Sequence, residues 1–338
     1  MKHSSSRFSL RETALGIVIA VASLALFFLV LEGTLRAYHA ITLAWHVRSL
    51  PPVNQRALVP SSDPALIFEL NPGWSNADSS INAQGMLDRE IELEKPEGVF
   101  RIAFFGDSIT GNLEIREIDE IYLKVMERKL NRLARDGEVF QSLNFGVNAY
   151  SIQQTLRMAW TRIPAFDPDL IVVQLCLNDP YPSDTPYGRP TPLHPLRIRN
   201  FLFRITRPAR FWGYMIVDRK YDSDGWEHVE QGFEELAKLA ADGRPMLTVL
   251  FPYLYRPAYE KWGYGEIHAR YRKIADDHDV PLLDLLDAFT EEGVIDNRWP
   301  KDPIHPDVRG HEIAADAILR ELKSRNLLDA GTTADSTR

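Results

Sequence analysis

The chain has 338 residues, 45% hydrophobic and 25% charged, which is globular usage and excludes a disordered or fibrous chain. A formal net charge of −8 argues against a nucleic-acid binder, which needs a basic face to release phosphate counterions. A single cysteine, Cys176, excludes an intramolecular disulfide and a cysteine-based zinc site, and no cofactor or metal is expected.

Residues 1–48 hold five basic and two acidic side chains, so a positive head precedes an acidic body. Residues 1–12 form a short N-terminus with Lys2, Arg7 and Arg11. Ala14 to Leu31 is apolar except for Ser23 and carries no charge. Eighteen helical residues span about 27 Å, close to the hydrocarbon thickness of a bilayer. Residues 13–35 are therefore predicted to be a transmembrane signal anchor, with the basic flank holding the N-terminus in the cytoplasm. A cleaved signal peptide is the rival, but the apolar run is long and EGTLRAYHA offers no small-x-small cleavage site. A buried core helix would carry a polar stripe. Glu32 and Arg36 fall at the far end of the span, where a snorkelling or headgroup role is expected.

Residues 36–98 read as a Pro/Ser-rich spacer followed by an arm on the domain edge. From residue 99 to 326 short apolar runs alternate with helical patterns. The predicted strands are VFRIAFF ending at Gly106, VFQSLNFG, DLIVVQLCL, PMLTVLFP and VPLLDLL. The helices fall near 121–133, 151–163, 226–241, 265–278 and 308–325, and Ser151 is a plausible N-cap. Strands buried on both faces and alternating with helices mean an α/β fold, a central parallel sheet between helical layers. Residues 327–338 read as a disordered tail.

In such a sheet ligands sit beyond the carboxyl ends of the strands. The first strand ends in Gly106-Asp107-Ser108, the second in Asn144-Phe145-Gly146, the third in Asn178-Asp179. Ser108 is the candidate nucleophile, and needs a base to take its proton. Otherwise it merely caps the next helix. Among nine histidines, His3, His39 and His46 lie in or near the anchor. His194, His228, His268 and His278 fall in loops or on presumed helix surfaces, where solvation is the default. His305 differs, because Asp302 stands three residues before it, a spacing that a turn brings within reach of Nδ1. The carboxylate would fix the tautomer and stabilise the imidazolium. Pro306 suits the first position of the last helix, which would set His305 at a positive helix end and favour the neutral ring. The plainer alternative is a cap with a surface histidine. Asn178, Gly146 and Ser108 itself offer N–H groups to a developing oxyanion, although Gly146 and Asn178 also suit ordinary turns.

Each signal alone is weak; a Gly-Asp-Ser tripeptide arises by chance in on the order of one chain in ten. Their order is informative. Gly106-Asp107-Ser108, the NFGV of Gly146, Leu177-Asn178-Asp179 and Asp302-x-x-His305 resemble the four signature blocks of the SGNH/GDSL hydrolase superfamily, over residues 100–325. INAQGMLD and KPEGVFRIAFFGDS resemble the lead-in of its membrane-anchored bacterial members. The resemblance implies a flavodoxin-like α/β/α sandwich. It also implies a Ser108-His305-Asp302 triad and an oxyanion hole of Ser108, Gly146 and Asn178. Two positions depart from the pattern: Cys176, where the third block often has glycine, and Ala149, where a second glycine is usual. Both bear on pocket shape.

The reading that follows is a membrane-anchored serine esterase acting on O-acyl, for instance O-acetyl, esters of an envelope glycan or lipid. Its partners would be that acylated substrate and the cytoplasmic membrane, with no nucleic acid. An O-acyltransferase using the same triad and a non-catalytic glycan-binding module are the alternatives. Residues 180–224 follow Asn178 and carry Arg197, Arg199, Arg204, Arg207 and Arg210 among aromatic residues. They would form a lid or a surface on anionic headgroups, or a helix packed by its aromatic face with an arginine rim, which is the default. The anchor predicts that residues from about 40 onward lie outside the cytoplasm. A reporter active only outside the cytoplasm, fused after Arg338, is expected to be active; a silent fusion of a stably made protein would reverse the topology.

Overall fold

The structure is a computed structural model describing residues 10–49, 51–111, 117–177, 180, 197–206, 221, 223–261, 263–296 and 302–328. The chain divides into two compact units, Met1–Pro51 with Pro192–Phe211, and Pro52–Thr191 with Trp212–Arg338. In the first, α1 spans Leu10–Ser49. Residues 36–49, expected to open the spacer, instead continue this helix. No glycine or proline interrupts Thr34–Leu50, and Pro51-Pro52 follow it.

The second unit begins with an arm. Strands β1 (Leu58–Pro60) and β2 (Phe68–Leu70) pair antiparallel. The arm is more than an edge decoration. Phe68, Leu70, Ile81 and Met86 are buried in the main core. The Tyr150 hydroxyl donates to Phe68 O (2.5 Å) and Gln154 Nε2 donates to Leu66 O (2.8 Å).

The domain is built on β3 (Val99–Gly106), β4 (Val139–Gly146), β5 (Leu170–Cys176), β6 (Met246–Phe251) and β7 (Leu282–Asp284). All pair in parallel, in the order β4-β3-β5-β6-β7. Counted from β3 this is the 2-1-3-4-5 order of flavodoxin-like sheets. Alternate residues point to opposite faces. Ala103, Phe105, Leu143, Phe145, Ile171 and Val173 face one layer. That layer contains α4 (Ile152–Phe166), α6 (Ser223–Ala241) and α8 (Tyr264–Asp277). Ile102, Phe104, Val172, Leu247 and Val249 face the other. There lie α3 (Tyr122–Asn131), α9 (Leu286–Glu291) and α10 (Val308–Ser324). Ser151 caps α4 in a capping box with Gln154, as its position predicts. Leu327 and Leu328, assigned to the tail, pack against the second layer.

Two polar groups inside the layers are fully partnered. Arg101 is buried, and its guanidinium donates to Gln141 Oε1 and to the carbonyls of Glu92, Leu93, Glu94 and Phe166. Lys124 meets Asp88 (2.7 Å) and donates to Ser142 O (2.6 Å), which ties α3 to the arm and to β4.

His311 on α10 is buried and stacks on Tyr122, with ring centroids 6.0 Å apart. Burial pushes its pKa down to about 4, against the opposing pull of Asp307. The unfolded chain therefore takes the proton first. The stability this neutral ring contributes is complete above its ordinary value of 6.5 and is lost as pH falls towards 4. In chemical denaturation of the full-length protein, wild type should lose on the order of 3 kcal/mol more than His311→Gln between those limits. Parallel pH profiles for the two proteins would show that the ring does not carry this linkage.

Candidate active site

The carboxyl end of β3 turns directly into α2 (Ser108–Gly111). Asp107 organises the turn. Its amide donates to Gln174 Oε1 (3.0 Å) and its Oδ1 accepts from the Ile109 amide (2.9 Å). The Cys176 thiol donates to Asp107 Oδ2 (3.1 Å). The Thr110 hydroxyl also donates to Gln174 Oε1 (2.9 Å). Asp107 therefore caps the short helix, and the Ser108 hydroxyl is left for another partner.

That partner is His305. Its Nε2 lies 2.7 Å from Ser108 Oγ, and its Nδ1 lies 2.7 Å from Asp302 Oδ2. The other Asp302 oxygen accepts from the backbone amides of Ile304 (2.9 Å) and His305 (3.0 Å). One carboxylate thus shapes the turn and orients the ring. Leu254, just beyond β6, donates its amide to Pro303 O (2.7 Å) and holds this turn against the sheet. The His305 side chain keeps 25% of its exposure, enough to meet a substrate.

The N-cap of α10 is Asp307, which accepts from the Gly310 amide (2.9 Å), and Val308 is the first helical residue. Pro306 precedes the cap instead of opening the helix, so His305 stands two residues outside it. Its orientation comes from Asp302 instead of the helix dipole, which fades within the first turn.

Gly146 also differs from expectation. Its amide, the proposed oxyanion donor, donates to Asn144 Oδ1 (3.0 Å). The glycine answers a packing need: a Cβ there would collide with Gly111 N, and a Cβ on Gly111 would lie 2.7 Å from Gly146 O. Among the described residues no acceptor is found for the amides of Ser108, Asn148 and Ala149. Ala149 has φ +69°, the left-handed backbone that glycine would adopt without cost. Asn178 and Asp179 lie outside the described residues, as do Arg207, Arg210, Phe211, Trp212 and Tyr214.

Two further residues matter here that the sequence reading passed over. Gln174 fixes the turn of Ser108; its signal was a lone amide in the apolar run LIVVQLC. His268, expected on a solvated surface, is fully buried with Nδ1 2.9 Å from Asp284 Oδ1.

Fold and site together define an ester-hydrolysing enzyme of the α/β/α type. The chain belongs to the GDSL-like lipase/acylhydrolase family, whose model matches residues 104–313. No curated protein matches it. Among solved structures it is similar to the α/β hydrolase LAE5 from the metagenome of Lake Arreo (18% identity, TM-score 0.46, 68% of this chain and 96% of that one). It is also similar to a lipase/acylhydrolase from Enterococcus faecalis (18%, 0.46, 67% and 96%).

Burial works against ionisation of Asp302, but hydrogen bonds from the His305 ring and from the His305 and Ile304 amides outweigh it and hold the carboxyl at about 2. The stability it contributes is complete above its ordinary value of 3.8 and is lost as pH falls through about 2. Asp302→Asn removes that contribution. The melting temperatures of wild type and variant should converge as pH is lowered from 4 to 2; a constant gap would assign the difference to something other than the charge.

Proposed function

We propose that this chain is a membrane-anchored serine esterase that cleaves O-acyl esters of an envelope glycan or lipid outside the cytoplasm. The observation that carries the reading is the row Ser108 Oγ, His305 and Asp302, closed by two contacts of 2.7 Å. His305 Nε2 takes the Ser108 proton as Oγ attacks the ester carbonyl. Asp302 keeps Nδ1 protonated and stabilises the imidazolium. The tetrahedral intermediate collapses when Nε2 returns the proton to the leaving alcohol, which leaves Ser108 acylated. Water, deprotonated by the same ring, then releases the acid and restores the hydroxyl. The oxyanion takes hydrogen bonds from the Ser108 amide, the Asn178 side chain and the amides of Asn148-Ala149, which stand in for the engaged Gly146. The anchor rests on α1, whose stretch Arg11–Thr42 is long and apolar enough to cross a bilayer.

A series of aryl esters with increasing acyl length tests both chemistry and chain preference. Free acid should appear without an added acceptor; strict dependence on a sugar hydroxyl would make the enzyme an O-acyltransferase. Ser108→Ala and His305→Ala should each lower turnover by on the order of a million-fold, as residues acting as a unit do. Asp302→Asn should cost about ten-thousand-fold. Asn178→Ala should cost on the order of a hundred- to a thousand-fold. The ordering is the test: near wild-type turnover in His305→Ala would refute the triad.

A further inference from the structure

The α1 helix carries a carboxylate, Glu32, immediately after its uncharged apolar run. Its two oxygens accept from the backbone amides of Arg197 and Ile198, both at 2.9 Å. These are the first two residues of α5 (Arg197–Thr206). The first amides of a helix have no partner inside it. Water would supply one, but beside an apolar run the acceptor has to be built into the protein. Glu32 is that acceptor, and the Arg36 guanidinium donates to the same carboxylate (2.7 Å). A residue 165 positions away in sequence therefore sets where α5 begins.

From that point α5 runs beside the apolar run and not away from it. Ile198 and Leu202 line one groove together with Ala25, Phe28 and Leu29, which share a face of α1 with Glu32 at spacings of three and four residues. By helical spacing Ile198, Phe201, Leu202 and Ile205 fall on one face of α5, and the arginine positions 197, 199 and 204 fall outside it. Ile198 and Leu202 meet the groove; Phe201 and Ile205 are exposed. A ten-residue helix is marginal in water unless its apolar face is packed, and bare aromatic and branched side chains mark a surface that meets something apolar. Leu26, Phe27 and Val30 of α1, from the same stretch that lines the groove, are also exposed, each by more than half. Both helices thus turn apolar side chains outward on the stretch that precedes Glu32.

We propose that α5 is a second membrane contact of this chain: it lies on α1 at the bilayer boundary, held there by Glu32, with Phe201 and Ile205 among the lipid acyl chains. The solvent beside the apolar run is hydrocarbon, so the exposure of these two side chains is burial in lipid. The contact needs no particular headgroup, because apolar side chains and capped amides make it. In the chain α5 falls between β5 and β6, so the hydrolase domain is tied to the bilayer twice, through α1 and through α5. This contact rests on reading α1 as a membrane span.

The test uses the full-length chain in vesicles of phosphatidylcholine, whose headgroup carries no net charge. Cys176 is the one thiol of the chain and is buried, so a fluorophore goes selectively to Ile205→Cys on α5 or, in a separate protein, to Phe27→Cys on α1. Phosphatidylcholine brominated along its acyl chain quenches a label that it touches, and aqueous iodide quenches a label in water. The Ile205→Cys label should lose most of its emission to the brominated lipid and little to iodide, as the Phe27→Cys label does. Glu32→Ala takes the acceptor away from both amides; the Ile205→Cys label should then become open to iodide while the Phe27→Cys label stays with the lipid. If bromine reaches the Phe27→Cys label and not the Ile205→Cys label, α5 is covered by protein or faces water, and the proposal is wrong although the anchor stands. An Ile205→Cys label indifferent to Glu32→Ala would remove the hold on α5 and overturn the proposal as well. If bromine reaches neither label, α1 is outside the bilayer and the anchor falls, taking the α5 contact with it.

Discussion

The site depends on three side chains that are missing. Gly106, Gly111 and Gly146 let the short helix of Ser108 lie directly on the ends of β3 and β4. A Cβ on Gly106 would collide with Gln174 Oε1 and Thr110 Oγ1, and one on Gly146 would collide with the backbone of Gly111. The backbone must come this close because Ser108 has to leave the sheet within two residues of Gly106 and still face the rim. The same seam draws in the arm. Asn144 accepts from the Gly146 amide and donates to Leu87 O and Thr110 O, while its own amide donates to Asp88 (3.0 Å). Asp88 in turn meets buried Lys124. Removing one partner from such a pair strands a buried charge, at a cost of about 3–5 kcal/mol. The arm is thus part of the frame that supports the turn of Ser108.

His305 is 197 residues from Ser108 in sequence, and only the sheet order brings them together. Ser108 follows β3, which lies between β4 and β5. The Asp302 turn approaches from the far end of the sheet, after β7, and is held by the bond from Leu254 to Pro303 beyond β6. Parallel strands send all these exits to one edge. A one-strand change of order would leave the ring out of reach of the hydroxyl, because neighbouring strands lie about 4.8 Å apart and the contact spans 2.7 Å.

The strands were legible because each is a short, almost unbroken apolar run, and β4 begins and ends where the pattern VFQSLNFG places it. Three of the polar residues inside them, Arg101, Asn144 and Gln174, each bond to a distant partner, and no local pattern predicts such a bond. The arm was harder to read because β1 and β2 have three residues each, too few for a period to register. The hydrogen-bonded row of Ser108, His305 and Asp302, the proposed triad, could be expected from order and spacing, since Asp302 and His305 are neighbours along the chain. The engagement of the Gly146 amide could not, because it depends on which way the Asn144 side chain turns.

Two histidine–aspartate couples of nearly equal geometry occur among the described residues of this domain, and the couple alone does not make a base. Nδ1 of His305 is 2.7 Å from Asp302, and Nδ1 of His268 is 2.9 Å from Asp284. The difference lies at the second nitrogen. His268 is fully buried, its Nε2 meets no hydrogen-bonding partner among the described residues, and Asp284 is shared with Arg272. A proton taken there would have no reacting group to come from and no solvent to leave to. Nε2 of His305 meets a hydroxyl on the strand rim, on a side chain still open to solvent. Access at Nε2, set by where the Asp302 turn crosses the end of β3, separates the proposed base His305 from the core histidine His268.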